Sequence, residues 1–244
     1  MTTRYVYVLA IVSTILSGCL TQPVTSAVGS AEYVAREPIA TSLFPSDQTV
    51  LGDEAVNRIL SSKLELPAKA KVALMQFPNT GSGSRYYGTF YWRNEEFLKL
   101  QQSQMDALSG ALLGSDRISE ATPLPSLMTP KQASIPLLRE AAVRMQADLL
   151  LVFRVSSDTY SEYRAFAKDK VKSYSTCELV LLDVRTGLVP FTRVLSREKL
   201  ELKQSSDLDL METTRRAEQI SAAEALRTAA NDLVTFIKST PRRS

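Results

Sequence analysis

Residues 149–155 read LLLVFRV, and this short apolar stretch decides the fold class. Such a run favours a strand that is buried on both faces of a sheet. Just before it, residues 135–146 repeat apolar positions on one helical face, with Ser134 as the expected N-cap and Pro136 tolerated in the first turn. A helix that leads directly into a doubly buried strand predicts a sheet covered by helices.

The C-terminal side of this strand predicts a hairpin and a helix. Residues 171–184 read as a long strand, Arg185, Thr186 and Gly187 as a tight turn, and residues 188–202 as the partner strand. Apolar residues, Ala223 among them, then recur at steps of three and four along residues 210–237. This spacing predicts a long C-terminal amphipathic helix.

The N-terminal side supplies further helices and strands. The predicted ranges are a helix over 53–64, a buried strand over 71–77, a helix over 94–113 that ends at Gly114, and a strand over 118–124. The whole pattern predicts the α/β class, as an α+β sandwich in which helices cover a mixed β-sheet. We expect residues 51–240 to form a single globular domain.

Two motifs resemble those of a known group of proteins. They are EAAVRMQADLLLV at residues 140–152 and ELVLLDVRTGLV at residues 178–189, with the apolar residues 72–77 beside them. Together they resemble periplasmic lipoproteins built like the TolB amino-terminal domain, a group that includes the curli secretion lipoprotein CsgG and the penicillin-binding-protein activator LpoB. The resemblance covers residues 68–238 and implies a non-enzymatic protein that acts by assembly or protein contact. Because these motifs are structural, they indicate fold more than function.

The N-terminus has the pattern of a secretory signal. Arg4 precedes a mostly apolar stretch without charges, residues 5–15, and Leu-Ser-Gly-Cys follows at residues 16–19. The tetrapeptide resembles the lipobox of bacterial lipoproteins, which implies that residues 1–18 are removed and that Cys19 is acylated. A transmembrane anchor with an accidental cysteine is the alternative, although the run is shorter than the roughly 20 residues that span a bilayer.

The lipobox resemblance also implies a location. Two or more acyl chains on Cys19 would hold the protein stably at a membrane. Residue 20 is Leu and not the Asp that retains such proteins at the inner membrane, so we expect the periplasmic face of the outer membrane. Residues 19–50, with Pro23, Pro38 and Pro45, read as a flexible tether, unless part of this segment packs on the domain.

The composition excludes several kinds of chemistry. The chain has no histidine, which removes Ser-His-Asp and Cys-His constellations and every histidine-based metal site. Cys177 is in register with Leu179 and Leu181, which predicts a buried structural thiol. We therefore expect no cofactor and no metal. A net charge of +3 does not suggest a nucleic-acid partner, and the membrane is reached through Cys19.

The densest group of aromatic residues is the strongest partner-binding prediction from sequence. It consists of Arg85, Tyr86, Tyr87, Phe90, Tyr91, Trp92 and Arg93. Large rigid rings beside arginines are typical of protein interfaces. The alternative is a loop that folds back onto the core.

Other segments give weaker signals. Gly81 to Ser84 follow a strand, but the glycine spacing is wrong for a phosphate-binding loop. Residues 158–170 are expected to form an exposed, charged loop. This loop and the later hairpin carry too many charges for the membrane-spanning strands of the secretion lipoprotein. Adjacent carboxylates, Glu95 with Glu96 and Asp207 with Asp209, are more simply capping residues than acid–base pairs.

These observations predict a lipid-anchored periplasmic protein without catalytic activity. It would bind another cell-envelope protein or assemble with copies of itself. Two alternatives are a curli-type secretion pore and a carboxylate-dependent cell-wall hydrolase.

Overall fold

In a computed structural model, the described residues are 43, 52–77, 95–130, 133–163 and 167–243. The predicted signal peptide, Cys19, most of the tether and the aromatic group 85–93 lie outside these residues. The helices and strands follow in chain order: α1 (Asp53–Ser61), β1 (Ala70–Gln76), α2 (Glu95–Leu113), β2 (Ile118–Pro123), α3 (Ile135–Arg144), β3 (Leu149–Glu162), β4 (Lys170–Asp183), β5 (Phe191–Leu202) and α4 (Leu210–Ser239).

The five strands form one mixed sheet, in the order β2-β1-β3-β4-β5. β1 runs parallel to both β2 and β3, whereas β3, β4 and β5 are successively antiparallel. The parallel strands are joined through α2 and α3, as expected for crossover connections, and β4 leads into β5 through a turn at residues 184–186. The predicted α+β class with a mixed sheet and a long C-terminal helix is confirmed.

The apolar stretch at residues 149–155 lies at the centre of the sheet. Successive residues of a strand point to opposite faces, so β3 contributes to two separate core layers. Leu149, Leu151 and Phe153 pack on the side of α2 and α4. Leu150 and Val152 pack on the opposite side, against α3. Both layers are buried, which explains why the run has no polar alternation.

α4 covers the first of these faces through small side chains. Its buried residues are Thr213, Ala217, Ser221, Ala222, Ala225, Leu226, Ala229, Ala230, Leu233 and Ile237. Small residues let the helix backbone approach β4 and β5 closely. The sequence pattern placed Ala223 on this face, but Ala223 is exposed. The contact face is wider than a simple apolar stripe because α2 packs beside α4 as well.

The prediction of an exposed loop over residues 158–170 is wrong for both of its ends. β3 continues to Glu162 and β4 begins at Lys170, with an uninterrupted register from Leu149 opposite Asp183 to Glu162 opposite Lys170. The charged residues suggested a loop, but they lie on a part of the sheet face that α3 does not cover. A strand tolerates polar residues on such a face as long as its backbone groups are paired.

Two polar residues organise the start of the hairpin. Asp148 joins three strands: its carboxylate accepts from Lys71 N, its own N–H donates to Lys71 O, and its carbonyl accepts from Val184 N. Asp183 accepts from the backbone N–H of Thr186 at 3.2 Å and from the Thr186 hydroxyl. The turn predicted at residues 185–187 is therefore confirmed, with Gly187 in the left-handed region at φ 79°.

Candidate interaction surface

The described residues include only part of the site residues predicted from sequence. Cys19 and the group Arg85, Tyr86, Tyr87, Phe90, Tyr91, Trp92 and Arg93 lie outside them, so these roles stay predictions. Asp207 and Asp209 are described, and both act in local structure. Asp209 is the N-cap of α4 and accepts from Glu212 N at 3.0 Å.

Asp207 holds the connection between β5 and α4. Its carboxylate accepts two bonds from the Arg216 guanidinium, at 2.7 and 2.9 Å, and one each from Gln204 N and the Thr213 hydroxyl, both at 2.8 Å. These bonds, led by the pair with Arg216, hold the pKa of Asp207 well below its usual range. Glu201 also pairs with Arg216, at 3.2 Å. The carboxylate is thus fully engaged in positioning α4.

A broad polar surface is the face of β3, β4 and β5 that points away from α4, here called the outer sheet face. Alternation places the buried Ser173, Ser175 and Cys177 of β4 toward α4, so the intervening residues point outward. α3 covers only the beginning of this side, around Leu150 and Val152. The outer sheet face consists of Arg154, Ser156, Asp158, Tyr160 and Glu162 of β3, Lys170, Lys172, Tyr174, Thr176 and Glu178 of β4, and Val194, Ser196, Glu198, Leu200 and Leu202 of β5.

Side chains on the outer sheet face contact one another across the strands. Arg154 Nη2 donates to Glu178 Oε2 at 2.5 Å, and only 11% of the Arg154 side chain is exposed. Farther along, Lys172 Nζ lies 2.9 Å from Glu198 Oε2 and 4.8 Å from the centre of the Tyr174 ring. Tyr174 meets Tyr160 edge to face at 5.7 Å. Contacts with Tyr174 and Glu198 raise the pKa of Lys172. Aromatic–cation and charge pairs therefore order the side chains of this face.

The β5 side of the outer sheet face is its apolar part. Val194 is 70% exposed, Leu200 55% and Leu202 46%. These residues alternate with half-buried Leu195, Arg197 and Lys199, which point to the α4 side. Ser196 and Glu198 separate Val194 from Leu200 on this face, so only Leu200 and Leu202 are neighbours. Exposed single apolar residues are common, but exposed apolar residues on one strand beside tyrosines and charges have the composition of an interface. The two-residue alternation of residues 192–202 is present in the sequence, but charged residues occur on both faces of the strand and make the alternation hard to recognise.

A second feature is an open cleft of about 910 Å³ between α2 and the start of α4. Its floor is apolar, with Ala107, Ala222 and Leu226, and its rim is charged. The size is that of a small-molecule pocket. However, the rim residues Arg216 and Asp209 serve the local structure described above, and the Gln104 amide oxygen accepts from the Gln76 amide nitrogen at 2.9 Å. The cleft indicates no particular ligand chemistry.

Cys177 has the buried position predicted for it. The side chain is inaccessible, and burial, with a smaller contribution from Glu178, raises the pKa of its thiol to about 12. Such a thiol is inert near neutral pH. Over the described ranges, no three metal-ligating side chains come together. Within the same ranges, no helix is both long and apolar enough to cross a bilayer.

Comparison with known proteins gives structural likeness without a family. No family model matches the chain, and no curated protein matches it. Among solved structures, a minor lipoprotein from Acinetobacter baumannii has a TM-score of 0.34 and 12% identity, over 73% of this chain and 98% of its own. The rare lipoprotein B from Shewanella oneidensis gives 0.31 and 10%, over 69% and 94%.

A third similar structure is a PelC dodecamer from Paraburkholderia phytofirmans, with a TM-score of 0.32 and 15% identity, over 68% of this chain and 93% of that chain. Several of the structurally similar proteins are thus bacterial lipoproteins. The scores are too low to transfer a role, so the functional argument rests on the chain's own residues.

Proposed function

We propose that this chain is a lipid-anchored interaction protein of the bacterial cell envelope and has no catalytic activity. Acyl chains on Cys19 hold it at the periplasmic face of the outer membrane, and residues 19–50 tether the globular domain of residues 51–240. The domain binds another envelope protein or further copies of itself. The outer sheet face is its binding surface.

The exposed apolar residues of β5 are the observation that carries this proposal. Leu200 lies opposite Lys172, next to the Tyr160–Tyr174 pair and the Lys172–Glu198 ion pair, and Leu202 follows it on the same face. Val194 lies farther along β5, opposite Glu178. An apolar centre with aromatic residues and a charged border is the arrangement that binds proteins. Burying the exposed parts of these three side chains would favour association at roughly 25 cal/mol per Å² of apolar area.

The sequence supports the envelope location. The Leu-Ser-Gly-Cys lipobox and the resemblance to lipoproteins with a TolB amino-terminal-like domain both agree with a tethered, non-enzymatic role. Leu20, in place of an Asp at that position, favours sorting to the outer membrane.

Metabolic labelling tests the anchor. Labelled palmitate should enter the wild-type chain and not the Cys19→Ser variant, and the variant should leave the membrane fraction. Label in both chains, or in neither, would overturn the lipid anchor.

Site-specific photo-crosslinking in intact cells tests the surface. A photo-reactive residue at Leu200 should give a discrete crosslinked product, whereas the same residue at Leu127, which is 99% exposed on another part of the chain, should give none. Equal products from both positions would show that the outer sheet face is not selective.

The aromatic residues 85–93 remain a separate prediction. Replacing Tyr87, Tyr91 and Trp92 by Ala should abolish capture of the crosslinked partner and leave the far-ultraviolet circular dichroism spectrum unchanged. Unchanged capture would restrict partner binding to the outer sheet face.

A further inference from the structure

The edge position of β5 extends the proposed role. β5 pairs with β4 on one side, and among the residues that the structure describes no strand lies on its other side. The register runs from Phe191 to Leu202 without a bulge, and no proline interrupts the strand. A long, regular edge of this kind is a template for pairing with a further strand.

The backbone of β5 shows which groups are available at this edge. Lys203 N donates to Asp169 O at 2.9 Å, which makes that pair a hydrogen-bonded one. Backbone directions alternate along an antiparallel strand, so the N–H and C=O groups of Val194, Ser196, Glu198 and Leu200 point away from β4. In agreement, the Leu202 carbonyl lies near the Arg216 side chain, at 3.4 Å from Nη2.

The charges of β5 make the edge selective. Charged residues on an edge strand normally prevent pairing with an arbitrary strand. Here Arg193, Arg197, Glu198 and Lys199 accompany the exposed Val194 and Leu200. A partner strand should therefore place apolar residues opposite Val194 and Leu200 and a carboxylate opposite Arg193, and β5 itself can do this.

We propose that a second copy of the chain pairs with this edge, with the two β5 strands antiparallel about a two-fold axis at Arg197. This inference rests on the proposed function, because it names one partner for the strand that borders the outer sheet face. The register places Val194 opposite Leu200 and Thr192 opposite Leu202 on the outer sheet face. On the α4 side it places Arg193 opposite Glu201. Each pair occurs twice because the axis makes the contact symmetric.

Other registers of the two antiparallel β5 strands are less favourable, because they bring like charges together or leave Val194 unpaired. An axis at residue 195 brings Arg193 against Arg197 twice, and an axis at residue 196 brings Arg193 against Lys199 twice. An axis at residue 198 brings Arg197 against Lys199 and Glu198 against itself. An axis at residue 199 leaves Val194 beyond the end of the paired strand. Like charges directly opposite destabilise a sheet, whereas apolar pairs stabilise it.

The proposed register has one unfavourable contact, between Arg197 and its symmetry mate. Arg197 Nη1 donates to Ser196 O at 3.1 Å in the single chain. The side chain is half-buried, and solvent and salt weaken repulsion at such an edge. Because Arg197 lies on the two-fold axis, each copy of residue 197 faces the other, and a cysteine at this position can test the register.

Disulfide formation tests the pairing. The full chain carrying Cys19→Ser is purified in detergent, and Arg197→Cys is added to it. Opposed residues of a non-hydrogen-bonded pair have Cα atoms about 4.5 Å apart, within the range of a disulfide. Mild oxidation should therefore convert the Arg197→Cys chain into a covalent dimer. Ser196→Cys and Glu198→Cys are the matched controls and should stay monomeric, because the register places residue 196 opposite residue 198.

A second variant separates self-pairing from chance oxidation. Adding Val194→Lys and Leu200→Lys should abolish the Arg197→Cys dimer, while the circular dichroism spectrum stays unchanged. Equal oxidation at residues 196, 197 and 198, or a dimer that survives both lysines, would overturn the proposal. Because Cys19 is absent from these chains, failure of the lipid anchor in the palmitate experiment leaves this result unaffected.

Discussion

Single residues fix the turn between β4 and β5. Asp183 accepts from Arg185 N and Thr186 N, and Gly187 N donates to Asp183 O at 2.8 Å. Arg139 of α3 donates to the carbonyls of Val184 and Arg185 and so ties the turn to the helix above it. These bonds explain why the motif at residues 183–187 is structural.

Gly187→Ala should destabilise the fold by about 1 kcal/mol, because an L side chain is unfavourable at positive φ. The new Cβ would lie 3.5 Å from Arg139 Nη1, an ordinary contact, so the cost comes from the backbone. Urea unfolding measures it. Gly110→Ala, in the open interior of α2, should have the opposite sign and stabilise by about 0.5–1 kcal/mol. Equal effects at both glycines would contradict the backbone argument.

Asp207→Asn should destabilise the protein at neutral pH and progressively less at acidic pH. The folded-state pKa of Asp207 lies below its ordinary value of 3.8. The stabilisation is therefore present above pH 3.8 and is lost as pH falls toward the folded-state pKa. Urea midpoints of wild type and variant should converge below about pH 4. Asp116→Asn, at an exposed position, is the control; a gap between midpoints that is the same at every pH would argue against a charged Asp207.

At the scale of elements, the packing of α4 depends on residue size. Ala217, Ala225 and Ala229 are inaccessible where the helix crosses the sheet. Beside them the Ser221 hydroxyl lies 2.6 Å from Ser175 Oγ and 3.1 Å from Ser173 Oγ. Buried hydroxyls are tolerated here because each one has a partner.

Ala225→Leu should therefore destabilise the protein by about 1–3 kcal/mol, because a larger side chain forces the helix away from the sheet. Ala223→Leu is the matched control, two residues away on the same helix and exposed, and should change stability by less than about 0.5 kcal/mol. Thermal unfolding compares the two variants. If Ala223→Leu were the more destabilising change, the helix orientation would be wrong.

At the scale of the whole molecule, β3 links the two core layers. Leu151 belongs to the layer under α2 and α4, and Leu150 to the layer under α3. Both are inaccessible to solvent. Because adjacent residues of one strand serve both layers, we expect the layers to unfold together.

Leu150→Ala and Leu151→Ala should each cost about 2–5 kcal/mol and should keep a single unfolding transition. Urea titration followed by circular dichroism measures both. Leu127→Ala changes a side chain that is 99% exposed and should leave the midpoint in place. Two separate transitions in either core variant would show that the layers are independent.

Sequence alone determined the order of helices and strands, the fold class, the hairpin turn at Gly187 and the buried state of Cys177. These features depend on local propensity, on side-chain periodicity and on turn chemistry, which are all readable within a few residues. The lipobox at Cys19 and the aromatic group at residues 85–93 are local signals too, and they remain predictions.

Only the tertiary structure decided which polar residues belong to strands and which of them pair with one another. Asp158 and Glu162 suggested a loop, yet β4 pairs with them as strand residues on the outer sheet face. Asp207 and Arg216 meet although they are separated along the chain, and β5 becomes an edge because no described strand follows it in the sheet. Such features depend on contacts between separate elements and loops, and periodicity along one element carries no information about what packs against it.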